Sequence, residues 1–212
     1  MEKENPAAKV IIFDFDGTIA DSFAVAIKIA HQLANRQLEK DDISRLRGMR
    51  SREVLRALKI APWRALFLST RIRKMMGSHI GEIELVPGMD VALRMLASTH
   101  SLYILSANSP ENAKAFLEHN HIAEAFSGVY GGVQPWAKGR ALRKISREQK
   151  LSAGNTWYVG DGYLDIKAAH HAGMKAMAVA WGYSNIHVLE SCKPEALVFS
   201  SDELTAYFAK DV

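Results

Sequence analysis

Val10-Ile11-Ile12-Phe13-Asp14-Phe15-Asp16-Gly17-Thr18 decides how the rest of the chain is read. Its first four residues are a short β-branched and aromatic run, the mark of a buried strand. The run ends in two carboxylates separated by one residue. A glycine that permits a sharp turn and a threonine hydroxyl follow. Buried carboxylates that face each other destabilise a fold unless a cation or a proton sits between them. The carboxyl edge of an open α/β sheet is also where ligands bind. The stretch therefore predicts a central strand and a site at its end.

Outward from it, strands alternate with helices. Leu102–Leu105, Trp157–Val159, Ala176–Val179 and Ala196–Phe199 repeat the short, nearly continuous apolar pattern, with a weaker candidate at Gly128–Tyr130. Helices are predicted at 89–99, 111–120, 138–149, 164–172 and 202–209, with Ser109-Pro110 opening one and Gly173 closing another. Continuous apolar strands in such alternation predict a parallel sheet covered on both faces, an α/β, Rossmann-like core.

One segment breaks the pattern. From Asp21 to about Ile80 no strand is predicted, and apolar residues fall at helical spacing, as in Ala26, Ile29, Ala30 and Leu33. Two further stripes are Val54, Leu55 and Leu58, and Ala65, Leu66, Leu68 and Ile72. Residues 20–85 carry 13 Lys/Arg against 7 Asp/Glu, within a chain of 27 against 23, so a basic segment interrupts a slightly acidic body. The expected organisation is a core of 1–20 and 86–212 with an inserted all-helical domain at 21–85, before Pro87-Gly88 reopens the body.

Composition narrows the function classes. The 212 residues are 48% hydrophobic and 24% charged, ordinary values for a globular protein. No apolar run reaches the ~20 residues of a membrane-spanning helix, so no membrane partner is expected. The polar start MEKENPAAK has no secretion-signal core, and the single Cys192 forms no internal disulfide, so a cytoplasmic setting is expected. A net charge of +4 with few aromatics among the basic residues, chiefly Trp63 and Phe67, predicts no nucleic-acid partner.

A second acidic cluster follows another strand, in Val159-Gly160-Asp161-Gly162-Tyr163-Leu164-Asp165. Hard oxygen ligands from two loops suit Mg²⁺, which is held by few carboxylates; Asp165 can equally cap the helix that follows. Ser106 ends a strand and offers a hydroxyl and a backbone N–H to an anionic oxygen. Lys138 opens a helix after Gly131-Gly132-Val133-Gln134-Pro135 and can neutralise negative charge.

These four elements, in this order, resemble the haloacid dehalogenase superfamily of phosphohydrolases over essentially the whole chain. Asp14-Phe15-Asp16-Gly17-Thr18 is similar to its first motif, Ser106 to its second, Lys138 to its third, and Gly160-Asp161 through Asp165 to its fourth. The helical insertion resembles the C1-type cap of subfamily I, the phosphoglycolate phosphatase-like branch. Ala180-Trp181-Gly182-Tyr183 and Pro194-Glu195-Ala196 resemble its closing segment. The resemblance implies Asp14 as nucleophile and Asp16 as general acid and base. It implies Mg²⁺ on Asp14, the Asp16 carbonyl and Asp161, with Asp165 in support, and phosphate held by Thr18, Ser106, Ala107 and Lys138. The chain departs from the pattern in having Ala107 where Asn is usual, with Asn108 one place later, and Gly139 where Pro is common. Lys144 is a remote alternative to Lys138.

The expected reaction is hydrolysis of a small phosphorylated metabolite by a monomer or homodimer. Asp16 favours phosphate over carbon–halogen chemistry, which needs no second Asp. A β-phosphoglucomutase-type phosphomutase remains an alternative, whereas nothing in the inserted segment identifies the Schiff-base lysine of a phosphonatase, with Lys59 left open. A non-catalytic binding module on this scaffold is the alternative of another class. Substrate choice is expected from Arg45-Leu46-Arg47-Gly48-Met49-Arg50-Ser51-Arg52, with Arg47, Gly48 and Arg50 as candidates, because guanidinium groups bind phosphate and carboxylate bidentately. Arg71, Arg73 and Lys74 read as ordinary surface charge.

Overall fold

The computed structural model describes residues 9–34 and 62–210, except the side chains of 33–34 and 62–69. In chain order the elements are β1 (Val10–Phe13), β2 (Ala20–Asp21), α1 (Phe23–Ala34), α2 (Pro62–Ser78) and β3 (Glu84–Leu85). Then follow α3 (Met89–Ala97), β4 (Ser101–Leu105), α4 (Pro110–His119), β5 (Phe126–Tyr130), α5 (Lys138–Glu148) and β6 (Thr156–Gly160). The chain continues with α6 (Tyr163–Ala172), β7 (Lys175–Val179), α7 (Ile186–Ser191), β8 (Ala196–Val198) and α8 (Ser201–Ala209).

Six strands form one parallel sheet in the order β5-β4-β1-β6-β7-β8. Strand β1 lies between β4 and β6, with Phe13 opposite Ile104 on one side and Val159 on the other. The chain steps outward from β1 to β4 and β5, then crosses back to β6 and on to β7 and β8, so the order reverses at β1, and the carboxyl ends of these strands converge on a crevice there. All four β1 side chains are buried because alternate residues feed separate cores. Ile11 and Phe13 pack with residues of α3, α4 and α8, while Val10 and Ile12 pack with α5 and α6. Each such side chain contributes about 1.5–3 kcal/mol by leaving water.

Local chemistry sets the element ends. The Ser109 hydroxyl accepts from the Asn112 amide ahead of Pro110, and Gly173 closes α6 at φ 72°. Three elements escaped the sequence reading. Helix α7 is short, and its one signal is the Asn185 cap, whose side chain accepts from the His187 amide. Strands β2 and β3 pair antiparallel, Ala20 with Leu85 and Asp21 with Glu84, and are too short for any periodicity to show. Phe199, read as strand, lies beyond the end of β8 and is exposed. Between them, β2 and β3 join the two chain passages that flank the insertion. Helices α1 and α2 agree with the helical reading of that segment, and Val25, Ile29 and Met76 join the core beside α3 and α4. The second apolar stripe, Val54, Leu55 and Leu58, lies outside the described residues, and the side chains of Ala65, Leu66 and Leu68 are not described. Among the described residues, no helix is long and apolar enough to cross a membrane.

Candidate active site

Strand β1 hands directly into a tight loop. The Asp14 amide still donates to the Val159 carbonyl at 2.8 Å, continuing the ladder to β6. Beyond it the amides of Thr18, Ile19 and Ala20 all donate to the Phe15 carbonyl, at 3.2, 2.9 and 3.0 Å. Gly17 makes that turn at φ 77°, and a Cβ there would stand 2.3 Å from the Tyr183 ring and 2.5 Å from Asp161 Oδ2. Phe15 is driven into the core against Phe116, with ring centroids 5.1 Å apart. Asp14 and Asp16 are thereby parted into two different environments.

Around Asp14 the site is charged and buried. Carboxylate oxygens of Asp14, Asp161 and Asp165 lie within 4.8 Å of one another. The buried ammonium of Lys138 meets Asp14 Oδ2 at 2.7 Å and Asp165 Oδ1 at 2.6 Å. Burial, aided by repulsion from Asp165 and Asp161 and opposed by Lys138, holds the Asp14 carboxyl well above its ordinary range. Burial and the Asp165 charge push Asp161 up to about 7. Burial works against the Lys138 charge, but Asp14 and Asp165 outweigh it and hold its pKa well above an ordinary lysine. Three carboxylates and one ammonium leave an excess of negative charge, and the all-oxygen donor set fits a hard divalent cation. Lys144, in contrast, forms an exposed pair with Glu148 at 3.6 Å.

Asp165 has both local jobs that its position allows. Its Oδ2 accepts from the Gly162 amide at the start of α6, at 2.9 Å, while Oδ1 takes Lys138. Asp161 is gripped by backbone and hydroxyl: the Tyr183 amide donates to Oδ2 at 2.6 Å, and Thr18 Oγ1 donates to Oδ1 at 3.2 Å.

Around Asp16 the hydrogen-bonding partners are neutral, and the Lys138 charge is the least of the influences on it. Asn108 Nδ2 reaches the two Asp16 oxygens at 3.4 and 3.2 Å. Burial raises the Asp16 pKa, and hydrogen bonds from Ser22 and Asn108 work against the rise.

The structure brings together Asp14, Asp16, Ser106, Lys138, Asp161 and Asp165, and alters two expectations about which atoms are free. Thr18, expected at the phosphate, has no exposed surface and its hydroxyl donates to Asp161. With its one proton committed there, it positions a carboxylate instead. The Ser106 N–H, expected for an anionic oxygen, donates to the Tyr130 carbonyl at 3.0 Å as the β4–β5 ladder continues. Its Oγ accepts from the Asn108 amide at 2.9 Å, which leaves the hydroxyl proton as the donor that Ser106 can offer. The Ala107 carbonyl is occupied by Arg73 Nε at 2.8 Å, and Arg73 Nη2 donates to the Gly132 carbonyl at 3.2 Å. Arg73 is therefore an anchor of α2 on the β4 loop, not free surface charge. Arg45, Arg47, Gly48, Arg50 and Arg52, and Lys59, lie outside the described residues.

Sequence reasoning missed Arg73, Asn112 and the role of Tyr183. Tyr183 lies over Gly17, with its hydroxyl 2.9 Å from Ser22 Oγ, and neighbouring Trp181 Nε1 donates to the Thr18 carbonyl at 3.1 Å. Asn112 follows Asn108 by four residues, the one spacing that could have marked it.

Comparison with known proteins adds to this geometry. A family model described as haloacid dehalogenase-like hydrolase matches residues 11–179. The phosphoglycolate phosphatase of Synechococcus elongatus is 31% identical over 201 residues, covering 92% of this chain and 95% of that relative. A phosphoglycolate phosphatase of Mesorhizobium japonicum is 26% identical over 216 residues, covering 95% of each. Among solved structures, a haloacid dehalogenase-like family hydrolase from Streptococcus pneumoniae superposes with a TM-score of 0.70 at 22% identity, over 94% of this chain and 98% of that one. At that identity the likeness is one of fold.

Proposed function

The chain belongs to the haloacid dehalogenase-like hydrolase family and is a phosphatase of that family, and we propose that it is Mg²⁺-dependent and works through an aspartyl phosphate on Asp14. One observation carries the reading: Asp14, Asp161 and Asp165 crowd within 4.8 Å at the end of β1 with Lys138 as their buried counter-charge. Residues 1–20 and 86–212 are the catalytic core in this reading, and residues 21–85 the cap.

Mg²⁺ held by Asp14, the Asp16 carbonyl and Asp161, with Asp165 in support, would supply the charge that lets the carboxylates ionise beside an anionic phosphate. The remaining chemistry belongs to the chain. A free Asp14 oxygen attacks phosphorus while Lys138 holds Oδ2 in place. The bond from phosphorus to the ester oxygen breaks, and that oxygen takes the proton of the Asp16 carboxyl. Burial favours the protonated form of Asp16 that this step requires. Asp16, now a carboxylate, takes a proton from water, whose oxygen attacks phosphorus. The bond to Asp14 breaks and inorganic phosphate leaves. Lys138 and the Ser106 hydroxyl stabilise the transferring phosphoryl group, and Thr18 and Tyr183 hold Asp161.

The substrate class is a small phosphomonoester. The two relatives named for phosphoglycolate, together with the arginines at 45–52, support one with a second anionic or hydroxyl-rich end. Phosphoglycolate leads and sugar phosphates follow. The test is phosphate release from a panel of small phosphorylated metabolites with Mg²⁺ and with EDTA. Release from an acidic small phosphomonoester that requires Mg²⁺ is expected. Undiminished release in EDTA overturns the metal-dependent reading, and a phosphorylated sugar isomer in place of inorganic phosphate selects a mutase.

A further inference from the structure

The neutral side of the site is wired to the inserted segment through side-chain amides whose directions are fixed. Asn108 Oδ1 accepts from the Ser109 backbone amide at 2.9 Å and from Asn112 Nδ2 at 2.8 Å. A backbone N–H can only donate, so the carbonyl of Asn108 must face it and the nitrogen must face Asp16. Asn112 is oriented by the same logic. Its nitrogen also donates to the carbonyl of Arg73 at 2.8 Å, and that carbonyl can only accept.

Helix α2 leaves room for this contact. Gly77 lies one turn beyond Arg73, and a Cβ there would approach Asn112 Oδ1 to 2.5 Å. A glycine inside a helix costs about 0.5–1 kcal/mol relative to alanine, and here the vacant space is filled by the Asn112 amide. The Arg73 guanidinium binds the Ala107 and Gly132 carbonyls, so the same residue of α2 anchors the loop on both its backbone and its side chain. The Gly132 amide closes the ring on the Asn108 carbonyl at 2.6 Å.

We propose that Asn112 is a positioning residue, which sets the Asn108 amide toward Asp16 and makes that orientation depend on the seating of α2 against the core. The path runs from the α2 backbone through two amides to a carboxylate that must meet the leaving oxygen. Each link is directional, and loss of the middle donors leaves Asn108 Oδ1 held by the Ser109 amide alone, which loosens its aim at Asp16. This inference rests on Asp16 acting as the general acid.

The experiment measures the single-turnover rate of phosphoryl transfer to the Mg²⁺-loaded enzyme from an alkyl phosphate and from p-nitrophenyl phosphate. The alkyl ester leaves poorly and needs a proton; nitrophenolate leaves well without one. Asn112→Leu keeps the branched shape in a bulkier side chain and removes the donors, and Asn112→Asp keeps the size with a polar group that cannot donate to both carbonyls. For both variants the alkyl phosphate rate should fall about tenfold, a fraction of the 10²–10⁴ that general acid catalysis supplies. KM should stay within about twofold and the nitrophenyl rate nearly unchanged. In an Asp16→Asn background Asn112→Leu should add no further loss. Equal losses on both substrates, no loss on either, or an undiminished loss in the Asp16→Asn background overturn the proposal. Asp16→Asn alone separates the two levels: if it slows both substrates equally, the acid role itself fails and the positioning role with it. If it spares the nitrophenyl ester while the Asn112 variants do not, only the positioning role fails.

Discussion

Asp14 and Asp16 are separated by a single residue, yet one faces an ion cluster and the other an amide network. Asp14 shares its surroundings with Asp161, Asp165 and Lys138, all ionisable groups in a water-poor place. Asp16 meets Asn108 and Ser22, neutral donors on the side where the inserted segment joins the core. A carboxylate kept beside a cation and a lysine suits attack on phosphorus. One kept raised by burial and steered by dipoles suits carrying a proton. Chemically identical residues thus acquire different work from the groups around them.

Removing the proposed nucleophile should break the contrast most severely. Asp14→Asn is expected to lower turnover on the order of 10⁴–10⁶-fold, read as steady-state phosphate release. Asp16→Asn should keep the metal-side residues intact and lose about 10²–10⁴-fold; its losses should be greatest for alkyl phosphates. If the two variants lose equally on every substrate, the division of labour is wrong.

Lys138→Met tests the charged side through stability. Removing one partner from a buried ion pair costs about 3–5 kcal/mol, to be read from urea unfolding of the metal-free protein. The loss should be smaller at pH 5 than at pH 8, because Asp14 deprived of Lys138 takes up a proton. An equal loss at both pH values would mean that Asp14 does not depend on its charge.

The smallest expected effect concerns Asp161. Its folded pKa of about 7 lies above an ordinary aspartate, so its contribution to stability is full below the unfolded value and falls as pH rises through about 7. The metal-free protein should therefore lose thermal stability from this group between pH 5 and 8. Added Mg²⁺ should raise Tm more at pH 8, where it does not compete with a proton. A metal-induced rise that is greater at pH 5 would contradict the assignment.

The strands and the charged half of the site were legible in the sequence for a common reason. A continuous apolar run has few other uses, and carboxylates at the end of a buried run have fewer still, so Asp14 and Asp161 stood out. Lys138 was recognisable only beside them, since its two ion pairs come from other elements. The neutral half was legible only at Asp16 and Asn108. Arg73 and Asn112 act through main-chain carbonyls of distant segments, and a carbonyl carries no residue identity. Thr18 and Ser106 drew attention from the sequence by position, but which of their protons was already spent depended on Asp161 and on the β5 ladder. Strands β2 and β3 were too short to leave a periodic trace.

The most direct test of the account is to find where the phosphoryl group goes. The Asp16→Asn variant, supplied with Mg²⁺ and radiolabelled p-nitrophenyl phosphate, is quenched in acid at short times and its peptides are mapped. The account predicts an acid-stable, base-labile label on the peptide containing Asp14, absent from the Asp14→Asn variant. Label on another residue, or turnover by Asp14→Asn at a near-native rate, would contradict it.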